Sequence, residues 1–109
     1  MNSTINRIAA LNDAFRRTGI GGKWLITRGI AALPEWQQLA ILQIVCGFNA
    51  FDEVNDPYGE RDFGAFEHRG RRIIWKIDYY DPSMTFASDD PSDPAQTVRV
   101  LTVMLAEEY

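Results

Sequence analysis

The stretch that decides the fold is Asn55 to Asp81, NDPYGERDFGAFEHRGRRIIWKIDYYD. Its runs Asp62 to His68 and Arg71 to Tyr80 flank Arg69-Gly70, a two-residue turn signal that predicts a β-hairpin. Such a turn sets the pairing by arithmetic. Glu67 falls opposite Arg72, Phe66 opposite Ile73, Ala65 opposite Ile74, Gly64 opposite Trp75 and Phe63 opposite Lys76. With a side-chain period of two, Phe66, Ile73, Trp75, Ile77 and Tyr79 share a core face, and Gly64 leaves space for the Trp75 indole. The other face carries Phe63, Ala65, Glu67, Arg72, Ile74, Lys76, Asp78 and Tyr80. It is too mixed for a solvated surface or a core, and it is the expected working surface.

Upstream, Ile5, Ile8, Leu11 and Phe15 recur at three- and four-residue steps after a Ser3 or Thr4 cap. They predict a surface helix with one buried stripe, Arg7, Asp13, Arg16 and Arg17 facing away, and a stop at Gly19. The sequence Gly19-Ile20-Gly21-Gly22-Lys23 invites comparison with a phosphate-binding loop, but that motif needs a strand before it, a helix after it and Ser or Thr behind the lysine. Here a helix precedes, and Trp24 stands in the Ser/Thr position. Lys23 to Thr27 reads as a short strand. A second helix begins at Pro34. Its apolar residues, Trp36, Leu39, Ile41, Leu42, Ile44, Val45, Cys46 and Phe48, cover nearly every side and predict burial at the centre of the core. Cys46 then reads as an inert core thiol.

Downstream, Asp81-Pro82-Ser83 turns the chain and Met84 to Ala87 is expected to return as another antiparallel strand. Asp93, Pro94 and Gln96 suit the start of a last helix, which buries Val98, Leu101, Met104 and Leu105. The expected architecture is one α+β domain over residues 1–109, in the order α-β-α-β-β-β-α, with a small, mostly antiparallel sheet against helices.

Charge narrows the partners. Residues 1–51 carry five Lys/Arg against two Asp/Glu, whereas residues 52–109 carry six against thirteen, so a net of +3 is followed by −7 and the chain totals −4. An acidic surface repels phosphate backbones, which disfavours generic nucleic-acid binding and favours a basic protein partner or a cation. No apolar run reaches the ~20 residues that span a bilayer, and MNSTINRIAALNDAF lacks the layout of a signal peptide. With a single cysteine no internal disulfide forms, so the expected location is cytoplasmic.

The chemistry-bearing residues form three groups. The loop from Asp52 to Asp62 holds Asp52, Glu53, Asp56, Glu60 and Asp62 without the spacing of an EF-hand. Arg69, Arg71 and Arg72 surround His68, the one histidine, at the hairpin tip. Phe63, Lys76, Asp78 and Tyr80 lie on the mixed face. No Ser-His-Asp or Cys-His pattern is present, so no catalytic residue is assigned and the preferred reading is not an enzyme. The enzymatic alternative is a divalent-metal-dependent hydrolase using the 52–62 carboxylates and Asp78, with Mg²⁺ or Ca²⁺ as the one cofactor considered and no metal ligand assigned. The preferred reading is a protein-binding module that uses Asp56, Glu60, Asp62, Phe63, Arg69, Arg71, Arg72, Lys76, Asp78 and Tyr80, since interfaces favour aromatics and arginine. A housekeeping regulatory or interaction role is the plainer alternative. An exposed sheet edge leaves a homodimer open.

At DPYGERDFGAFE, WKIDYYD and VRVLTVMLAEEY, and again at RIAALNDAFRRTG and ITRGIAAL, the chain resembles the bacterial family named domain of unknown function 3768. That family is found largely in alphaproteobacteria and is often carried on plasmids and mobile elements. The resemblance implies no activity. Joined to the acidic loops, it implies an inhibitor of a host defence nuclease or CRISPR complex that imitates nucleic acid. Its members often carry histidine where this chain has Tyr58 and Arg61, a departure that weakens any metal or histidine chemistry in the loop.

Overall fold

The structure is a computed structural model and describes residues 3–109. Its elements are α1 (Ser3–Thr18), β1 (Gly22–Ile26), α2 (Arg28–Ala31), α3 (Glu35–Cys46), β2 (Phe63–His68), β3 (Arg71–Tyr80) and β4 (Val98–Leu105). Single 3-10 turns at Pro94–Gln96 and Ala106–Glu108 flank β4. The expected hairpin is present in the expected register, from Phe63 opposite Lys76 to His68 opposite Arg71. Arg69 and Gly70 take φ of +52° and +80°, the left-handed pair that matches the twist of the strands. Gly70 adopts this freely. Arg69 accepts mild strain and lays its guanidinium 5.1 Å from the centre of the Trp36 ring on α3.

The four strands run β1-β4-β3-β2, with β1 parallel to β4 and the other pairs antiparallel. This is the α+β arrangement with a mostly antiparallel sheet against helices. The helices bury Phe15, Ile30, Ile41 and Val45 on the sheet face formed by Ile73, Trp75, Ile77, Leu101, Val103 and Leu105. Trp75 is fully buried and meets Phe48 and Phe51 edge to face at 5.5 and 6.1 Å. A Cβ on Gly64 would lie 2.3 Å from the Trp75 Nε1, so the glycine is what admits the indole.

Three expectations need correcting. The last helix is instead β4, one of the two interior strands; only Pro94–Gln96 turns helically, with Asp93 accepting from the Ala95 amide at its start. Residues 98, 101, 104 and 105 do fit a helical spacing. Yet Val98, Val100, Thr102 and Val103 are β-branched, and a strand flanked on both sides is apolar on both faces. The Met84–Ala87 strand reduces to one bridge, Tyr80 with Ala87, because the Asp81 carboxylate gathers Ser83 Oγ and the Thr85 and Phe86 amides into a turn. Finally, α3 is buried only along Ile41 and Val45. Trp36 and Leu39 are each 56% exposed, because a single layer of helices leaves its outer side to solvent. Cys46 is accordingly half-buried. Ser3 and Thr4 lie inside α1, and the residue before them is outside the described range.

Glu108 closes the chain on itself. It accepts from the Thr27 hydroxyl at 2.6 Å, the Gly29 amide at 2.9 Å and the Leu105 amide at 2.9 Å, which ties the last turn to the start of α2. These bonds, led by that from Thr27, hold its carboxyl below the ordinary range.

Candidate functional site

The strand register sorts the expected site residues into separate places. Arg72, Lys76, Asp78 and Tyr80 project from β3, and Phe63 from β2, on the face opposite the buried Trp75. From β4 the same face receives Val98, Val100, Thr102 and Met104, and from β1 Lys23 and Leu25. None of the three α-helices packs there, since each contributes its buried residues to the other side. The centre of this face is closed to solvent: Val100, Met104 and Ile74 are buried, whereas Leu25 at the margin is 53% exposed. Lys76 Nζ and Asp78 Oδ2 form a half-exposed ion pair at 2.5 Å. Tyr109 turns its ring against Phe63, at 5.7 Å between centres. The result is an open sheet face with an apolar centre and a charged and aromatic margin.

The acidic residues occupy one end of the sheet. Phe63, Tyr80, Val98 and Gly22 all mark that end, so loops 52–62 and 81–97 emerge side by side. They hold nine carboxylates and one cation, Arg61. Several of these carboxylates build their own turns: Asp52 Oδ1 accepts from the Val54 and Asn55 amides, Asp56 Oδ1 from Arg61, and Asp90 Oδ1 from Ser92. Asp13, Phe51, Asp52, Glu53, Asp56 and Arg61 surround a cleft of about 530 Å³ between α1 and the first loop. Arg61 sits there with φ of +56°, donates to Asp13 Oδ2 at 2.8 Å and lies 5.2 Å from the Phe51 ring centre.

Asp62, Glu60 and Asp56 share this end but not one ligand position. Glu60 Oε1 accepts the Tyr79 hydroxyl at 2.8 Å, and Asp56 holds the Arg61 amide. Asp78 is committed to Lys76 on the open face. Among the described residues no three His, Cys, Asp or Glu side chains are grouped to hold a metal ion. Burial, followed by the negative charge of Glu60 and then of Asp56 and Asp78, pushes the Asp62 carboxyl up to about 6.

The arginine tip lies at the far end of the hairpin. Arg69 folds onto Trp36, while Arg71 and Arg72 remain exposed. His68 is half-buried, and its Nε2 has no partner among the described residues. Among the described residues no hydrogen bond or ion pair joins the side chains of this tip to the acidic end.

A buried polar network escaped the reading of α1. Arg16, expected on the solvent side, is fully buried. It donates to the carbonyls of Val45 at 3.1 Å and Phe48 at 2.7 Å, pairs with Asp13 at 3.0 Å and lies 5.1 Å from the Trp75 ring centre. Its positive charge thereby serves the carbonyl end of α3. Asn12, one turn earlier, donates to Tyr79 Oη at 2.8 Å and to the Glu60 carbonyl at 3.0 Å, and accepts from Arg99. Burial lowers the pKa of both arginines and raises that of Tyr79. The available signal was the four-residue step from Asn12 to Arg16 beside the Ile8-Phe15 stripe.

Fold and site together define a small α+β protein with a one-sided sheet and an acidic end. The chain belongs to the family described as "Protein of unknown function (DUF3768)", which it matches over residues 26–108. No curated protein and no solved structure matches it significantly. Among the described residues no helix is long and apolar enough to cross a membrane.

Proposed function

We propose that this protein is an acidic protein-binding module that engages a basic partner through its open sheet face and the two loops at its acidic end. The carrying observation is the sheet face itself, which bears Leu25, Phe63, Lys76, Asp78 and Tyr80 and has no α-helix packed on it. An antiparallel sheet can leave one face to solvent, but such a face ordinarily alternates to polar residues. Here Val98, Val100, Ile74 and Met104 run through its middle; Val100, Ile74 and Met104 are already buried, so the surface left for a partner is the margin, with Leu25, Phe63 and Tyr80. The paired loops add a concentrated negative field that steers a cationic surface and is screened by salt.

The narrower reading is inhibition of a host defence nuclease or CRISPR complex from the cytoplasm, with the acidic end standing in for nucleic acid. It is supported by the carboxylate density of loops 52–62 and 81–97 and by the resemblance to a family borne on mobile elements. The test is co-purification of the tagged protein from its host with defence complexes, alongside measured restriction of phage or plasmid. The expected result is a basic partner whose retention falls steeply as salt rises from about 0.1 to 0.5 M. Leu25→Ser combined with Tyr80→Ala should release that partner while leaving the fold intact. Unchanged restriction, with a partner retained equally by the double variant, would sink the reading.

β1 supports a second occupant of the surface. It is an edge strand with Leu25 and Ile26 exposed, 53% and 39%, so a second copy can extend the sheet there. Sedimentation of the purified chain distinguishes this: a dimer abolished by Leu25→Lys assigns the edge to self-association.

A further inference from the structure

Residues 1–51 carry a net of +3, which the acidic end of the sheet leaves unused. Arg16 is paired with Asp13, whereas Arg17, Lys23 and Arg28 are exposed and make no ion pair among the described residues. These three cations bracket one strand. Arg17 stands in the last turn of α1, Lys23 lies on β1 and Arg28 opens α2. Glu108, the carboxylate held at the far end of β1, is already committed to the Thr27 hydroxyl and to the Gly29 and Leu105 amides.

β1 is also the more open edge of the sheet. Four of its five residues are exposed, against one of six in β2 at the opposite edge. The Thr27 amide donates to the Val103 carbonyl, so the alternation of a parallel pair turns the amides and carbonyls of Trp24 and Ile26 away from β4. Beside this edge is a groove of about 410 Å³, walled by Trp24, Leu42 and Cys46, with Arg17 and Thr18 contributed by α1. Among the described residues the sheet supplies only Gly22 and Trp24 of β1 to that wall, so the groove belongs to the edge and not to the middle of the sheet. Leu39, 56% exposed, precedes Leu42 and Cys46 at three- and four-residue steps, which continues the apolar stripe along α3. A groove between an edge strand and a helix suits an extended peptide, whose main chain pairs with the strand while every second side chain enters the groove. The lining asks for apolar side chains there. The unpaired cations ask for carboxylates between them, whereas two copies paired through β1 would bring Arg17, Lys23 and Arg28 of both together.

We propose that β1 and the groove beside it bind an extended acidic peptide segment of a partner protein, which adds a strand to the sheet and sets alternate apolar side chains against Trp24 and Leu42. This partner is opposite in charge to the one assigned to the acidic end, and its binding does not depend on that reading.

The probe is a blocked, dye-labelled heptapeptide alternating glutamate and leucine, titrated against the whole chain by fluorescence anisotropy beside its lysine–leucine counterpart. The glutamate peptide should bind saturably, and the lysine peptide at least about tenfold more weakly. No saturation by the glutamate peptide at about 1 mM overturns the proposal, as does equal or tighter binding of the lysine peptide. Two further glutamate peptides, N-methylated at the odd or at the even amides, read strand addition. Only one set of amides faces β1, so one peptide should lose at least about tenfold in affinity and the other keep it. Equal affinity in the two, whether kept or lost, overturns the pairing with β1. Arg17→Glu and Lys23→Glu reverse exposed charges and should leave the melting temperature unchanged while each weakens the glutamate peptide by at least about tenfold. Wild-type affinity in both variants overturns the proposal. So does a dimer in sedimentation that excess peptide fails to dissociate, which assigns the edge to a second copy.

Discussion

The two faces of the sheet are built from the same strands and do different things. On the covered face, Trp75, Ile77, Leu101 and Val103 meet three helices, and Phe48, Phe51 and Trp75 pack edge to face. On the open face, Ile74, Met104 and Val100 are buried with no α-helix against them, and Leu25 is half in water. Because alternate residues point opposite ways, one ten-residue strand, β3, contributes to both. The difference separates stability from recognition. Side chains on the covered face hold the fold together, whereas those at the margin of the open face contribute little to it and are free to be selected for a partner.

That comparison is sharpest at Trp75. Truncation to alanine removes the largest buried side chain, and Trp75→Ala should cost about 3–5 kcal/mol in urea denaturation, close to the whole stability of a small domain. Next comes the residue opposite it. Gly64→Ala places a Cβ against Trp75 Nε1 and the Phe48 ring, and should cost about 1–3 kcal/mol by overpacking, also read as a lower denaturation midpoint. An alanine here as stable as wild type would show that the indole is free to shift, and the covered face less tightly packed than described.

Asp62 gives a smaller effect of the opposite sign. Its folded-state carboxyl titrates near 6, above the ordinary value of 3.8, so the folded protein binds the proton more tightly than the unfolded chain. The stability it contributes is fully present below about 3.8 and is lost as pH rises through about 6. Asp62→Asn should therefore flatten that part of the stability–pH profile. At pH 7.5 it should stabilise by on the order of 1 kcal/mol, discounted for partial exposure. Smallest is Leu25→Ser on the open face, expected to change stability by under about 0.5 kcal/mol while impairing partner or edge binding. A large loss of stability from this substitution would erase the distinction between the faces.

The hairpin was legible because its determinants are local. Arg69-Gly70 sets the turn, the turn sets the register, and the register brings Gly64 beneath Trp75 with no help from distant parts of the chain. The same alternation placed Phe63, Arg72, Lys76, Asp78 and Tyr80 on one face. Loop chemistry was legible in part, since Asp81 and Asp93 each cap a turn as Asx residues do. Distance in space was not. Asp56, Glu60 and Asp62 are near in sequence to the hairpin, yet Asp78 lies across the sheet from the core-side environment of Glu60.

What the sequence by itself determined is the α+β class, the hairpin with its register, and the assignment of residues to its two faces. These follow from side-chain period and turn stereochemistry, which act over a few residues. Only the tertiary structure decided that Val98–Leu105 is a strand and that Arg16 and Arg99 are buried. A largely apolar octapeptide satisfies its backbone as helix or strand, and β4 is a strand because β3 and β1 supply hydrogen-bonding partners on both sides. Arginine on a helix is ordinarily solvated. Arg16 goes inward because the end of α3 presents the carbonyls of Val45 and Phe48, and no feature of residues 3–18 records where those carbonyls will be.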